Sequence, residues 1–598
     1  MKFCIRTLTP DVTPASSNMW VCLFFLLALV PLCLTSRAVA GDAPTVSNYL
    51  LGYDVHDEYS PYDGYYDWTR VAKATPDECF TGLDNHDTNL ASFLARYPAG
   101  LSASAISTCQ LLGNKPKVNQ AYVWGLTVVN KNIWFSTVAN TLCLVADSFF
   151  GPSDTIPPLQ NSSWACEMGG HDARPPRIFV YDSYNETLTD LTQKVLDYKG
   201  GQDKMRLLHT IGLRSAGNYR GVVFFGGLMA PTISAQAVTP VVLYAFEAST
   251  KRYLGSALFD GTSNPLYTNI RQWRVVNSQL FTGVATPGSG GKILRWTGST
   301  AAPFSFDTVG AIVGDPAYLV EHKGRLFVST WGSGGKVYGM SLYMSPTLHG
   351  ATGLDISDAS KWKSVWNLAN YEVEPTAIQV GGALASYQGY LYWGTMHVPG
   401  TGLVAFSNAY PGVTTIAEAA IGTYRPLSIF RGKQFDTNTP KVDLLYGSKL
   451  LPKYDPAANQ WNLVPNNLKQ TPKYGFFGFN NIFNNYTWSM EVYDDTLFVG
   501  TMDWSFLATY GNEFIKNLPA GLQDAAKHFY GADLWQFPSS DDKAYPVSIN
   551  GMKNYTNYGI RTMAVGADAF WLGMANPMNL RTDPANKQLG GWELIKLE

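Results

Sequence analysis

The chain has 598 residues, 46% hydrophobic and 14% aromatic, with a formal net charge of −2. Such a composition supplies ample material for a packed core. The near-zero charge creates no global field for nucleic acid or an anionic membrane, so neither is an expected partner.

Residues 1–40 read as a signal peptide. Lys2 and Arg6 give a positive start, residues 20–34 form an apolar run broken by Pro31, and Ala38-Val39-Ala40 before Gly41 fits a small-x-small cleavage site. Met19 is an alternative start, and an uncleaved anchor is the alternative reading. The run is too short for a comfortable transmembrane helix. A secreted or periplasmic protein is expected, without membrane insertion after cleavage.

Residues 41–118 are expected to hold a closing strand (within 45–72) and a small cap. Asp54, His56, Asp57, Glu58 and Asp63 alternate with tyrosines and read as a solvated edge. Asp84, Asn85, His86, Asp87 and Asn89 form an oxygen-rich run, a weak calcium candidate that helix capping also explains. Residues 89–95 look helical. No other cofactor is expected. Of seven cysteines, Cys79, Cys109, Cys143 and Cys166 remain after the signal. Four cysteines in an exported chain suggest two disulfides, and sequential pairing closes the shortest loops. Zinc is disfavoured because no CxxC spacing occurs. Asn161, Asn185, Asn485 and Asn554 begin Asn-x-Ser/Thr sites.

Residues 119–598 carry a repeat. An aliphatic residue, a large apolar pair and a Gly or Ser return eight times, as in Ile133-Trp134-Phe135-Ser136, Val223-Phe224-Phe225-Gly226, Leu391-Tyr392-Trp393-Gly394, Leu444-Leu445-Tyr446-Gly447 and Phe570-Trp571-Leu572-Gly573. Such a run suits a strand buried on both faces, and the Gly suits close approach of a neighbouring backbone. Another apolar segment precedes each copy. A third strand follows most copies, for example at residues 242–246, 292–296 and 403–406, and sometimes a fourth. Four antiparallel strands per repeat define a β-propeller blade. The expected fold is all-β: a single propeller of eight four-stranded blades, or seven if the first or sixth copy is an insertion, with small helical insertions. The last repeat stops after its third strand, so a strand from residues 45–72 is expected to complete it.

The hairpin Lys453-Tyr454-Asp455-Pro456 leading to Gln460-Trp461-Asn462-Leu463 resembles kelch-type blades. At superfamily level the chain resembles secreted β-propellers with kelch-like or quinoprotein-like repeats. The kelch double-Gly pattern is missing from most copies, as is the quinoprotein tryptophan repeat.

Aligning the copies exposes two recurring slots. About nine positions before the signature stand Arg214, Arg271 and Arg561, with Trp124 and Trp488 in two other copies; a longer turn places Arg425 there too. Three residues after the Gly or Ser stand His397, Asp503, Asn576 and Thr286. Propeller topology sends both slots to one channel mouth. There arginine forks would grip a carboxylate, sulfate or phosphate, and tryptophan would stack on a ring. Alternatively, each arginine pairs with Asp503, Glu491 or carbonyls and ties blades together. P-loop, dinucleotide, HExxH and GxSxG motifs are missing. The expected role is a monomeric binding or scaffold protein, leaning away from catalysis, for an anionic small molecule, glycan or protein partner. The alternative is a hydrolase or lyase on an anionic carbohydrate or ester, with His397 as acid or base and Asp503 beside it.

Overall fold

The computed structural model describes residues 65–83, 100–150, 158–168, 172–230, 239–288, 290–332, 339–350, 353–413, 416–437, 439–509 and 526–598. The expected signal peptide, the acidic run at 54–63, the calcium candidate at 84–89 and the helix expected at 89–95 lie outside the described residues.

Most described strands fall into seven groups of four, paired antiparallel within each group. The first contains Gln120–Val129, Asn132–Ala139, Ile178–Asp182 and Thr187–Asp190. The second begins with Thr210–Tyr219, the third with Asn269–Val276 and the fourth with Asp315–His322. The fifth begins with Gln379–Tyr387, the sixth with Asn484–Tyr493 and the seventh with Gly559–Val565. Trp68–Lys73 is the fourth strand of the seventh group and pairs with Glu593–Leu597. The seven first strands neighbour one another in chain order, and the last lies beside the first. The architecture is broadly propeller-like.

The eight signature copies therefore do not open eight groups. Residues 444–447 belong to Lys441–Gly447, the fourth strand of the fifth group. The apolar run is the same because the burial is the same: Leu444, Leu445 and Tyr446 are all buried. Residues 403–406, expected as a strand, lie in the helix Pro399–Ala409, whose first-turn proline suits a helix start. The kelch-like hairpin, Leu450–Asp455 with Gln460–Pro465, is a separate two-stranded sheet. Its Tyr454 and Trp461 rings pack on Phe406 of that helix.

The signature Gly and Ser hold adjacent groups together. A Cβ on Gly500 would come within 2.7 Å of Ile560 Cβ in the next first strand, and one on Gly573 within 2.7 Å of Val123 Cβ. Where the copy has serine, Ser136 Oγ donates to the Leu213 carbonyl at 3.0 Å and Ser329 Oγ to the Gly382 carbonyl at 3.0 Å.

Disulfides join Cys79 to Cys109 and Cys143 to Cys166. The first pins the helix Ala103–Leu111 to the short sheet of Glu78–Phe80 and Lys115–Lys117. Beneath it lies a buried ion cluster in which Lys117 and Arg174 share Glu167 and Asp172. Two disulfides fit an oxidising, extracytoplasmic-type environment. Among the described residues no helix is long and apolar enough to cross a membrane. Of the glycosylation-type asparagines, Asn185 is exposed, while Asn485 and Asn554 are buried.

Candidate functional site

Every first strand breaks register with its partner near its middle. The breaks fall between Val123 and Gly125, Leu213 and Ser215, Ile270 and Trp273, Pro316 and Leu319, Gly381 and Leu384, Thr487 and Ser489, and Ile560 and Thr562. The residues left out of register include Trp124, Arg214, Arg271, Tyr318, Trp488 and Arg561. A bulge leaves its extra residue unpaired and re-aims its side chain. All six line one central cavity of about 390 Å³. The slot visible in the sequence is thus a bulge layer.

Within this layer the guanidiniums lie on indoles. The Arg214 guanidinium carbon is 4.8 Å from the Trp124 ring centre, that of Arg271 is 3.6 Å from Trp331, and that of Arg561 is 5.5 Å from Trp488. Arg214 Nη1 donates to Asn269 Oδ1 at 2.9 Å. The Tyr318 hydroxyl donates to the Trp488 carbonyl at 2.7 Å and accepts from Arg561. Arg561 is only 5% exposed, and burial pulls its pKa below the usual arginine value. No carboxylate pairs with it among the described residues. Asp315 sits with Arg271, Arg214 and Asn269; burial pushes its carboxyl up to about 6 against their pull.

From the bulge layer the cavity extends to residues near the ends of the first strands, such as Val275 and Val565, which are 49% and 44% exposed. One pair crosses it on the way. Arg274 Nη1 and Nη2 donate to Glu491 Oε2 and Oε1 at 2.9 and 3.2 Å, from the third group to the sixth. Toward the strand starts, Tyr122, Trp488 and Tyr558 form a buried aromatic cluster, with ring centres 5.6 to 6.0 Å apart.

The remaining sequence candidates lie elsewhere. Arg425 is fully buried: Nε and Nη2 grip Glu372 at 2.8 and 2.9 Å, and its other donors reach the carbonyls of Gly422, Tyr424 and Pro452. It is a structural tie rather than a cavity residue. His397 is fully buried, with Nδ1 2.8 Å from the Ile378 carbonyl, and burial pulls its pKa to about 3. The ring is neutral at ordinary pH and lies outside the lining of the central cavity. Asp503 accepts from Ser505 N and Asn481 Nδ2, both at 2.7 Å; burial and neighbouring Asp533 push its pKa well up. Asn576 donates to Thr556, Asn557 and the Leu589 carbonyl. Thr286 Oγ1 closes a turn on the Gly290 carbonyl at 2.8 Å. The second slot is therefore a layer bonded to its own surroundings, with His397 Nε2 left without a hydrogen-bond partner.

Sequence reasoning missed Asp315, Tyr318 and the Arg274–Glu491 pairing. The register of Tyr318, one residue off the arginine slot, carried a signal. Glu491 was expected as an arginine partner, but Arg274, 217 residues away, was not.

No family model and no curated protein matches the chain. Similar solved structures exist at low identity. The acylaminoacyl peptidase of Pyrococcus horikoshii aligns with 76% of this chain and 48% of its own, about half its length, at 6% identity and a TM-score of 0.30. The β-propeller domain of the trilobed protease of Pyrococcus furiosus aligns over 77% and 93%, at 6% identity and a TM-score of 0.32. An ancestral GH74 enzyme aligns over 81% and 49%, at 8% identity and a TM-score of 0.37. The leaning of the sequence away from catalysis finds no support among these structures, which include peptidases, a sialidase and an exo-β-1,3-galactanase. At such scores the likeness is one of β-rich architecture, and no substrate or residue role passes to this chain.

Proposed function

We propose that the chain is an exported enzyme, a hydrolase or lyase acting on an anionic carbohydrate or ester in the central cavity. In this reading the seven groups are the blades of one closed ring, completed by Trp68–Lys73. Arg214, Arg271 and Arg561 hold the anion, Trp124 and Trp488 wall it in, and the Asp315 carboxyl, beside Arg271 and Arg214 and outside the cavity lining itself, moves the proton. The observation that carries the reading is Arg561, a guanidinium 5% exposed with no carboxylate partner among the described residues. An uncompensated buried charge is costly, and an anionic ligand removes that cost. Arg274 is already neutralised by Glu491, and Asp315 sits with Arg271 and Arg214. Arg561 therefore adds a buried positive charge that no carboxylate of the described residues offsets. A carboxyl titrating near 6 exchanges its proton readily at neutral pH, as general acid–base catalysis requires.

The test is a turnover screen of the mature protein on uronate-containing oligosaccharides and anionic esters, reading released reducing ends, free acid or unsaturated product. Activity is expected. Asp315→Asn should lower kcat by about 10²-fold or more, and Arg561→Gln should chiefly raise KM. Anion binding without turnover on any of these substrates would overturn the enzymatic reading.

A further inference from the structure

Across the cavity, between the arginine layer and the exposed ends of the first strands, runs the Arg274–Glu491 pair. Its geometry is that of ligand recognition: two parallel N–H···O bonds of 2.9 and 3.2 Å between a planar fork and a planar carboxylate. The two residues come from groups three and six, which are not neighbours in the ring, so the pair does not belong to either sheet's own hydrogen bonding. The remaining Arg274 donor, Nε, reaches the Leu319 carbonyl at a long 3.4 Å. The side chains keep 25% and 19% exposure, so water and solutes reach the pair.

We infer that Glu491 is an internal stand-in for the ligand: its carboxylate occupies Arg274 within the cavity, and a carboxylate-bearing substrate displaces it and recruits Arg274 to the bulge layer. The inference rests on the anion-binding reading of the same cavity and narrows it from anions in general to carboxylates. The narrowing follows from the occupant: the fork already holds two oxygens of one carboxylate in Glu491. The displacement also sets a direction. Glu491 competes with an incoming carboxylate, whereas Arg274 awaits it.

The experiment is calorimetric titration of D-glucuronate and inorganic sulfate into the wild-type protein, Glu491→Gln, Arg274→Gln and Arg561→Gln, each checked for an unchanged melting profile. Glucuronate should bind Glu491→Gln at least tenfold more tightly than wild type and Arg274→Gln at least tenfold more weakly, with sulfate changing less in both. The opposite signs matter. Both variants delete the same ion pair, so a merely structural brace would shift both in one direction or neither. Equal or same-sign effects, with Arg561→Gln still weakening both probes, would overturn the stand-in and leave the anion site standing. Failure of both probes to bind any of the four proteins would overturn both. If Glu491→Gln does not fold, Glu491→Asp serves instead: its shorter reach loosens the pair and should tighten glucuronate binding, and no change would count against the proposal.

Discussion

Two layers of polar residues recur around this molecule, and they have opposite fates. In the bulge layer, Arg214, Arg271 and Arg561 are turned into a cavity and lie on tryptophan faces. In the layer after the second strands, His397, Asp503 and Asn576 are completely buried and bonded to their own surroundings. The backbone decides the difference. A residue squeezed out of register at a bulge has no ladder partner and projects away from its sheet. A residue ending the second strand is enclosed by the loops that follow it, where a polar group must find a bond or cost stability. Recurrence along a repeat thus signals a shared place in the fold, and local pairing separates a site from a tie.

The sharpest break between the layers should come from two arginines that shared one sequence slot. Arg425→Ala leaves Glu372 buried without its cation and should cost about 3–5 kcal/mol in chemical denaturation, with any folded protein still binding anions. Arg561→Gln should do the reverse. It removes a buried charge that has no carboxylate partner among the described residues, so the melting temperature should hold or rise. Sulfate affinity should fall by roughly tenfold or more, the loss of one charged hydrogen bond of about 1.5–3 kcal/mol. If Arg561→Gln unfolds the protein and Arg425→Ala does not, the assignment of site and tie is inverted.

Titration sharpens the same contrast. Asp315 titrates near 6, so below that pH it is neutral and releases Arg271 and Arg214 for the ligand. Sulfate should bind more tightly as pH falls from 7 to 5, and Asp315→Asn should remove that dependence. His397 acts through stability instead. Its folded pKa, about 3, lies below the unfolded value near 6.5. Its contribution is therefore present above pH 6.5 and is lost progressively as pH falls toward 3. Equilibrium unfolding of His397→Gln should show a shallower acid loss than wild type between those limits. The smallest effect belongs to Thr286→Ala, which removes one turn hydrogen bond. It should cost about 0.5–1.5 kcal/mol at most and leave anion binding unchanged.

Much of this was legible in the sequence, for a physical reason. The signature marks the second strand of most groups, and the bulge sits at a nearly constant distance before it, so aligning on one finds the other. Arg425 entered the slot only by stretching a turn, and it is the arginine that lies outside the layer. The extra copy at Leu444 misled because an outer strand covered on both faces has the same apolar run as an inner one. Leu403 to Phe406 is too short an apolar run for period alone to tell helix from strand. Asp315 and the Arg274–Glu491 pair gain their meaning from contacts between different groups of strands, which no local pattern records.

The central claim is that the bulge-layer arginines form an anion site. Its most direct measurement is anomalous diffraction from crystals soaked in selenate, at several concentrations below the millimolar range. The account predicts a selenium peak inside the central cavity, within hydrogen-bonding distance of Arg561 and of Arg271 or Arg214, lost in Arg561→Gln. A cavity without a peak, with selenate found only on outer surfaces, would contradict it.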